Sequence, residues 1–288
     1  MRYLVGNHQG NVGVFVIEGD DAWPLTAIEP AFGDDLDAMI NNPALADQVP
    51  GLKARPSKVP IAEITPMMPL ARPGKIICLG LNYVDHVKEG GYEIPTYPAL
   101  FMRGLTSMIP AGAPMVRPSC SERLDYEVEL MVIIGKRCRH VSEADALDAV
   151  FGYTLFNDGS VRDYQRKTHQ WTPGKNFDGT GPVGPVTVTP DELPAGATGL
   201  KIESRINGEV MQSASTSDMM WPVAKTIATL SEFTTLEPGD YVAMGTPPGV
   251  GHARTPPRWL VPGDVVEVEI EGIGICRNPI VAEEDLPQ

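Results

Sequence analysis

Three carboxylates at alternate positions precede an apolar run near the middle of the chain. If residues 124–134 form a strand, Asp125, Glu127 and Glu129 point to one face, and that face continues as apolar residues. The second half of the stretch is rich in β-branched residues, which is typical of a strand buried on both faces. Buried carboxylates without partners are costly, and Mg²⁺, Mn²⁺ and Ca²⁺ prefer oxygen ligands. The pattern is therefore compatible with a divalent-cation site at Glu127 and Glu129.

A second acidic stretch shows that alternation alone does not distinguish a metal site from a solvated strand face. Glu267, Glu269 and Glu271 also alternate with apolar residues, but Gly272 follows and no apolar run continues their face. This arrangement is typical of a half-exposed strand with a solvated acidic face. The same interpretation therefore stays open for the carboxylates of 124–134.

A histidine and a glutamate three residues apart offer general-base chemistry. His86 and Glu89 share one face of a short helix predicted over 81–91, where the carboxylate could orient the imidazole and raise its basicity. Gly90 and Gly91 end this segment and would let it move as a lid. The alternative is an ordinary surface pair.

Three further residues could contribute charge or hydrogen bonds. Asp158 follows a predicted strand and suits a third metal ligand, although an Asx turn explains it equally well. Lys175 lies in a glycine-bracketed loop, where it could face an anionic oxygen or simply be exposed. Thr246 belongs to the loop 245–251, whose backbone N–H groups suit a small anion such as a carboxylate. That loop matches neither a Walker motif nor a dinucleotide fingerprint.

Short strands separated by glycine and proline are expected to position these residues. Residues 1 to about 70 form a small leading unit, and the prolines between 56 and 73 indicate a linker or a wrapped edge segment. Asn207-Gly208 predicts a type I′ hairpin turn. Strands are predicted over 3–5, 12–17, 75–80, 98–103, 151–156, 201–206, 209–211 and 241–244. Helices are predicted over 34–46, 142–150 and, interrupted near Pro222, 217–230.

Composition and charge exclude several classes of partner. The 288 residues are 42% hydrophobic and 21% charged, as in soluble globular proteins. A net charge of −14 without a basic cluster argues against nucleic acid and anionic membranes. The N-terminus lacks a signal-peptide core, and no apolar run approaches the roughly 20 residues that span a bilayer. Four scattered cysteines are typical of reduced thiols. We therefore expect a cytoplasmic protein.

Five motifs, taken in order, resemble the fumarylacetoacetate hydrolase family over residues 72 to 282. They are Asn-Tyr-x-x-His-x-x-Glu at 82–89, Asp-Tyr-Glu-x-Glu-Leu at 125–130, Asn-Asp-x-x-x-Arg-Asp-x-Gln at 157–165, Gly-Lys-x-Phe-Asp at 174–178 and Gly-Thr-Pro-x-Gly-Val-Gly at 245–251. The resemblance implies a mainly β fold with some α structure. A mixed β-sheet roll over 71–288 would follow a small α/β N-terminal domain over 1–70, and the protein would form a homodimer.

The resemblance also assigns roles to individual residues. The ligands implied for one Mg²⁺ or Mn²⁺ per subunit are Glu127, Glu129 and Asp158. The catalytic residues implied are His86, Glu89, Lys175 and Gln165. The substrate-binding residues implied are Arg103, Thr246 and Tyr83. Arg103 replaces a lysine of many members and could pair bidentately with a carboxylate. Gly159 replaces a larger residue, which implies a roomier pocket. Asp125 is implied to lie outside the metal shell.

The bacterial branch that the chain resembles contains acylpyruvate hydrolases and 2-hydroxyhepta-2,4-diene-1,7-dioate isomerases. The implied reaction is hydrolysis of a C–C bond in a 2,4-diketo acid, giving pyruvate and a carboxylic acid, in aromatic or related catabolism. Decarboxylation of an oxaloacetate-type acid and isomerisation of a hydroxydienoate are the alternatives. A non-catalytic binding module is disfavoured because the His86–Glu89 pair and Lys175 are present. A dehydrogenase is disfavoured because no strand–GxGxxG–helix unit occurs.

Overall fold

The computed structural model describes residues 1–54 and 57–286, with more residues in strands than in helices. The strands are β1 Arg2–His8, β2 Asn11–Glu18, β3 Asp21–Pro24, β4 Val59–Pro60, β5 Thr65–Pro66, β6 Ile76–Gly80, β7 Ala99–Met102, β8 Met108–Pro110, β9 Met115–Arg117, β10 Leu124–Asp125, β11 Val128–Ile134, β12 Val150–Asn157, β13 Ser160–Val161, β14 Gly181–Val183, β15 Val186–Val188, β16 Lys201–Ile206, β17 Glu209–Ser215, β18 Tyr241–Ala243, β19 Val265–Ile270 and β20 Gly274–Ala282. The helices are α1 Leu25–Ile28, α2 Asp37–Asn41, α3 Val49–Lys53, α4 Val84–Glu89, α5 Arg162–Gln165, α6 Thr172–Lys175 and α7 Val223–Phe233.

A large mixed sheet forms the centre of the molecule. Its main path runs β4-β3-β2-β1-β15-β12-β11-β18-β6-β7, with β5, β8 and β14 attached beside it. Most neighbours are antiparallel, but β18 pairs with β6 and β14 with β8 in parallel. A second sheet runs β17-β16-β19-β20-β9, and β10 pairs with β13. This mainly β, mixed-sheet architecture is the one expected.

Strand β11 separates two hydrophobic cores, as a strand buried on both faces must. Leu130 and Val132 pack on one side, together with Ile227 of α7. Met131 and Ile133 pack on the other side, in the core that the N-terminal residues share. Because Glu129 precedes Met131 on the same face, its carboxylate enters the protein interior rather than solvent. The predicted burial of this stretch is confirmed.

The N-terminal strands extend the central sheet instead of forming a separate one. Strand β1 pairs antiparallel with β15, with Arg2 opposite Val188. The backbone N–H of Leu70 donates to the Tyr241 hydroxyl at 3.0 Å, which joins the end of the leading unit to β18. The domain boundary near residue 70 stays a prediction.

Strand β19, which carries the second acidic stretch, and the hairpin of β16 and β17 have the structures predicted for them. Residues of β19 alternate between buried and partly exposed, and Glu267 pairs with Arg277 at 3.2 Å on the outer face. Asn207 and Gly208 have φ of 52° and 85°, as a type I′ turn between β16 and β17 requires.

The helices predicted over 34–46 and 142–150 are shorter than expected. Only Ala146–Ala149 of 142–150 is helical, as a single 3₁₀ segment. The Ala149 carbonyl accepts hydrogen bonds from the N–H groups of Gly135 and Lys136, so it is not available to continue a helix. Helix α2 stops before Pro43, whose ring cannot continue the α-helical bonding, and a 3₁₀ segment follows.

Candidate active site

The pairing of β11 with β12 brings the three predicted metal ligands together. Val128 lies opposite Asn157, so Glu127 and Asp158 are adjacent at the end of the pair. The Asp158 N–H donates to the Glu127 carbonyl at 2.9 Å, and the Glu127 N–H donates to Asn157 Oδ1 at 3.0 Å. Carboxylate oxygens of Glu127, Glu129 and Asp158 all lie within 4.8 Å of one another, and all three residues are buried.

Buried cations neutralise most of this charge. Lys175, at the end of α6, places Nζ 2.7 Å from Glu127 Oε2 and 2.6 Å from Asp158 Oδ2. Arg162, at the start of α5, lies 2.7 Å from both Asp125 Oδ2 and Glu127 Oε1. Four buried carboxylates thus face three buried cations: Asp125, Glu127, Glu129 and Asp158 against Arg103, Arg162 and Lys175.

The excess of negative over positive charge in this cluster affects Glu129 most. Burial and the neighbouring charges of Asp158 and Glu127 raise the pKa of Glu129 well above its ordinary value. Burial acts in the same direction on Glu127, but Lys175 and Arg162 outweigh it and lower the pKa of that carboxyl. Burial disfavours the Lys175 ammonium, yet Asp158 and Glu127 raise its pKa. Glu129 accepts one hydrogen bond, from the Gly245 N–H at 2.9 Å.

This donor set fits a hard divalent cation. Oxygen atoms from three separate carboxylates converge. In the part of the chain that the structure describes, the Glu129 carboxylate has no cation of its own. A divalent ion would supply the positive charge that the cluster lacks. Asp125 is not part of the converging set, as the family resemblance implied.

Arg103 lies behind the cluster rather than in a substrate pocket. Its guanidinium is fully buried, and it donates to Asp158 Oδ1, the Gly159 carbonyl, Thr180 Oγ1 and Ser107 Oγ. With its donors engaged in this way, Arg103 orients Asp158. In this position Arg103 does not face the pocket, so the position does not support the contact with substrate that the resemblance implied.

The expectation that Gly159 makes the pocket roomier is wrong. A Cβ added at Gly159 would lie 2.0 Å from the Thr180 carbonyl oxygen and 2.3 Å from Met115 Cε. The glycine therefore permits close packing of two backbone segments instead of leaving space for substrate.

The predicted histidine–glutamate pair forms on α4. His86 Nδ1 lies 2.9 Å from Glu89 Oε1. The Gly249 N–H donates to both oxygens of that carboxylate, at 3.1 and 2.9 Å, so the pair is tied to the loop that follows β18. His86 is largely buried and faces the same pocket as Glu127 and Glu129.

That pocket is small, with a cavity volume of about 30 Å³. Gln165 lines it, and its Oε1 accepts from Arg162 at 2.9 Å, which leaves the amide NH₂ for another acceptor. Thr246 also lines it, and its hydroxyl accepts from Gln212 at 2.7 Å. Tyr83 instead packs in the hydrophobic core, with its buried hydroxyl unpartnered within the described residues.

Sequence reasoning gave no role to one residue that shapes the pocket. Arg162 holds Asp125, Glu127 and Gln165 at once, and it is part of a motif quoted above. For His252, which follows the Gly-Val-Gly loop, the sequence left open a place in the pocket lining or an ordinary loop position; it lines the pocket and contacts Asp125. Among the described residues, no helix is long and apolar enough to cross a membrane.

Comparison with known proteins places this geometry in context. Residues 75–281 match the family described as fumarylacetoacetate (FAA) hydrolase, C-terminal. The chain is 39% identical to the mitochondrial oxaloacetate tautomerase FAHD2A of Homo sapiens over 287 residues, covering 97% of this chain and 89% of that protein.

Two solved structures show the same fold over almost the whole chain. The fumarylacetoacetate hydrolase of Exiguobacterium antarcticum superposes with a TM-score of 0.84 at 34% identity, covering 98% of this chain and 100% of the other. The maleylpyruvate hydrolase of Sphingobium sp. SYK-6 superposes with a TM-score of 0.80 at 31% identity, with the same coverage.

Proposed function

The chain belongs to the fumarylacetoacetate hydrolase family, whose members are hydrolases, isomerases and tautomerases, and on this premise we propose that it is a divalent-metal-dependent enzyme that transfers protons on 2-keto acids. The reaction we favour is keto–enol tautomerisation of an oxaloacetate-type acid. The observation that carries the proposal is the His86–Glu89 pair, held by the Gly249 N–H at the pocket that contains Glu127 and Glu129. The 39% identity to an oxaloacetate tautomerase over nearly the whole chain supports this substrate.

The carboxylates of Glu127, Glu129 and Asp158 would hold the cation. When bound, it supplies Lewis-acid polarisation of the keto and carboxylate oxygens of the substrate. Mg²⁺ or Mn²⁺ suits these ligands.

The proton-transfer step follows from the hydrogen bonding of His86. The Glu89 carboxylate can only accept, so His86 Nδ1 carries the hydrogen and Nε2 keeps a lone pair. Nε2 takes a proton from C3 of the keto acid, the C–H electron pair forms the C2=C3 bond, and negative charge moves to the C2 oxygen. Return of the proton to that oxygen gives the enol, and the reverse sequence restores the keto form.

Lys175 and Gln165 can stabilise the developing charge. Two N–H groups of Lys175 are bonded to Glu127 and Asp158, which leaves the third for an oxygen in the pocket. The free amide NH₂ of Gln165 is a second donor from a buried, fixed side chain. Preorganised donors of this kind stabilise an oxyanion without reorganising.

Hydrolysis of a 2,4-diketo acid is the second candidate. The likeness to a maleylpyruvate hydrolase supports it, as does the presence of two oxyanion donors beside a general base. His86 would take a proton from water, and the resulting hydroxide would add to C4. The C3–C4 bond then breaks with its electrons to C3, and protonation gives pyruvate and a carboxylic acid. The predicted homodimer and cytoplasmic location stay predictions.

A paired assay tests and separates these reactions. We expect the protein with Mg²⁺ to accelerate decay of the enol absorbance of freshly diluted enol-oxaloacetate, and chelator to abolish the effect. His86→Ala should lower kcat by about 10²-fold or more while metal binding persists. Full activity in chelator, or in His86→Ala, would contradict the proposal. Faster release of pyruvate from acetylpyruvate or fumarylpyruvate than tautomerisation would select the hydrolase.

A further inference from the structure

We propose that His252, held by Asp125, is a second proton-transfer residue, which exchanges a proton with the C2 oxygen of the keto acid while His86 exchanges one with C3. Keto–enol tautomerisation moves one proton at carbon and one at oxygen, and His86 accounts for the first of them. The inference deepens the proposed function and rests on it, because it takes the keto acid to bind in the pocket that both histidines line.

Two histidine–carboxylate pairs line this pocket. His86 Nδ1 is bonded to Glu89, and His252 Nδ1 lies 3.3 Å from Asp125 Oδ2. Both imidazoles belong to the pocket lining. Because an ionised carboxylate can only accept, Nδ1 of each neutral ring carries the hydrogen and Nε2 keeps a lone pair. The pocket therefore contains two imidazoles, each with its Nε2 available for a proton.

The Asp125 carboxylate is fixed in place, as a group that orients an imidazole must be. It is fully buried. Its Oδ1 accepts the Gly251 N–H at 2.8 Å, and its Oδ2 accepts the His252 backbone N–H at 3.1 Å and Arg162 Nε at 2.7 Å. These donors prevent the carboxylate from turning with the imidazole. Asp125 thereby sets both the orientation and the tautomer of the His252 ring.

One loop holds both pairs. The Gly249 N–H donates to Glu89, and the Gly251 N–H, two residues later, donates to Asp125. A short stretch of backbone thus fixes the position of one pair relative to the other. Such fixed placement of two reacting groups around one substrate lowers the entropic cost of reaching the transition state.

The second nitrogen of His252 lacks a partner. Within the part of the chain that the structure describes, the buried Nε2 has no hydrogen-bond partner. An unpaired buried polar atom is costly, and a substrate oxygen would satisfy it. The Arg162 guanidinium and the Gln165 amide, which also line the pocket, donate hydrogen bonds but do not release a proton. An imidazole can both release and take up a proton near neutral pH.

The protons balance over one turnover. In the keto-to-enol direction, His86 Nε2 takes a C3 proton, the C–H electron pair forms the C2=C3 bond, and the carbonyl π pair moves to the oxygen. The His252 imidazolium gives its Nε2 proton to that oxygen. The enol leaves His86 protonated and His252 neutral, and proton exchange with water restores both rings. His252 can exchange in this way because it also lines a shallower depression outside the pocket. The enol-to-keto direction is the reverse.

The test measures the two proton transfers separately, on the full chain with Mg²⁺. Exchange of the C3 hydrogens of oxaloacetate with D₂O, followed by NMR, reports the transfer by His86. Decay of the enol absorbance reports the complete tautomerisation. We expect His252→Asn, which keeps an amide toward Asp125, to slow tautomerisation by about 10²-fold, while C3 exchange above the uncatalysed rate persists. His86→Ala should lower both rates.

Three controls distinguish proton transfer from a structural role. His140→Asn replaces an exposed histidine outside the pocket lining and should change neither rate. Titration calorimetry should give the same Mg²⁺ affinity for the wild type and His252→Asn, which would show that the carboxylate cluster is intact. His252→Gln carries its amide further from the backbone and should be as slow as His252→Asn, since neither amide transfers a proton.

Each outcome has one meaning. If His252→Asn tautomerises at the wild-type rate, or if its tautomerisation and C3 exchange fall together, His252 is not a proton-transfer residue and the proposed function stands. Recovery of the rate in His252→Gln would equally overturn the inference, because a hydrogen bond would then be enough. If the wild-type protein with Mg²⁺ accelerates neither process, the proposed function fails and this inference fails with it.

Discussion

Among residues 1–54 and 57–286, Glu129 is the carboxylate of the cluster that has no cation within ion-pairing distance. Glu127 and Asp158 share Lys175, and Asp158 also has Arg103, whereas Glu129 accepts the Gly245 N–H. The lysine therefore already occupies two of the three ligands that a metal would use. Charge repulsion between the ammonium and the ion should limit metal affinity, while the same ammonium serves the substrate oxyanion.

Lys175→Met should separate these two effects. We expect Mg²⁺ affinity to rise by on the order of tenfold, about 1.4 kcal/mol, because Glu127 and Asp158 lose a competing cation. Turnover should fall by about 10²-fold or more, since an oxyanion donor is removed. Titration calorimetry and steady-state assays give the two values. Lys201→Met, at an exposed position in β16, should change neither. Loss of metal binding in Lys175→Met would contradict this account.

Local pattern was enough to predict some of these residues but not their partners. The alternation of Glu127 and Glu129 and the i, i+3 spacing of His86 and Glu89 lie within single elements, so a sequence displays them. The engagement of Arg103 with Asp158 depends on which segments pack behind β12, and this was not visible in the sequence.

At the scale of elements, the loop after β18 connects helix α4 to the carboxylate cluster. Gly245 donates to Glu129, and Gly249 donates to Glu89 on α4, which lies 160 residues earlier in the chain. The Gly249 carbonyl in turn accepts the Tyr126 hydroxyl at 3.1 Å. One loop thereby sets the position of both a predicted metal ligand and the predicted base. Contacts over such separations explain why the Gly-Thr-Pro motif could be recognised while its anchoring role could not.

Gly249→Ala should disrupt this connection. Gly249 has φ of +105°, and an added Cβ would lie 2.3 Å from the Met211 carbonyl oxygen, so the backbone of the loop or of Met211 must shift. Such a shift should disturb the hydrogen bonds from the Gly249 N–H to Glu89. Gly263 has φ of +93° with nothing within 4 Å of an added Cβ, which makes Gly263→Ala the matched control for backbone strain alone.

We expect Gly263→Ala to lower the free energy of unfolding by about 1 kcal/mol, and Gly249→Ala to lower it by at least about 2 kcal/mol with a clear loss of kcat. Urea unfolding and steady-state kinetics supply the measurements. Equal losses of stability together with unchanged kcat in both variants would show that the loop does not position the base.

Contacts between residues far apart in the sequence also limited the prediction of secondary structure. The Asn207-Gly208 hairpin was predictable because its turn type is encoded in two residues. The segment 142–150 has a helical composition, but the Ala149 carbonyl bonds to Gly135 and Lys136 at the end of β11. Tertiary hydrogen bonds overrode helix propensity there.

At the scale of the molecule, the central sheet and one of its cores cross the predicted boundary near residue 70. Phe32 and Leu36 of the leading unit belong to the same core as Met131, Ile133 and Tyr241. Strand β1 is also hydrogen-bonded to β15. Removal of residues 1–70 would expose that apolar face of the sheet, so the two parts should not unfold independently.

Thermal unfolding of the full chain should therefore be a single transition, with equal calorimetric and van't Hoff enthalpies. Phe32→Ala should shift that whole transition, because the 0% exposed ring is shared by both parts and its loss costs about 3–5 kcal/mol. Phe233→Ala is the control, since that ring is 54% exposed at the end of α7 and should shift the transition little. Differential scanning calorimetry of the three proteins decides the matter. Two resolved transitions, of which Phe32→Ala moves only the first, would instead make residues 1–70 an independent domain.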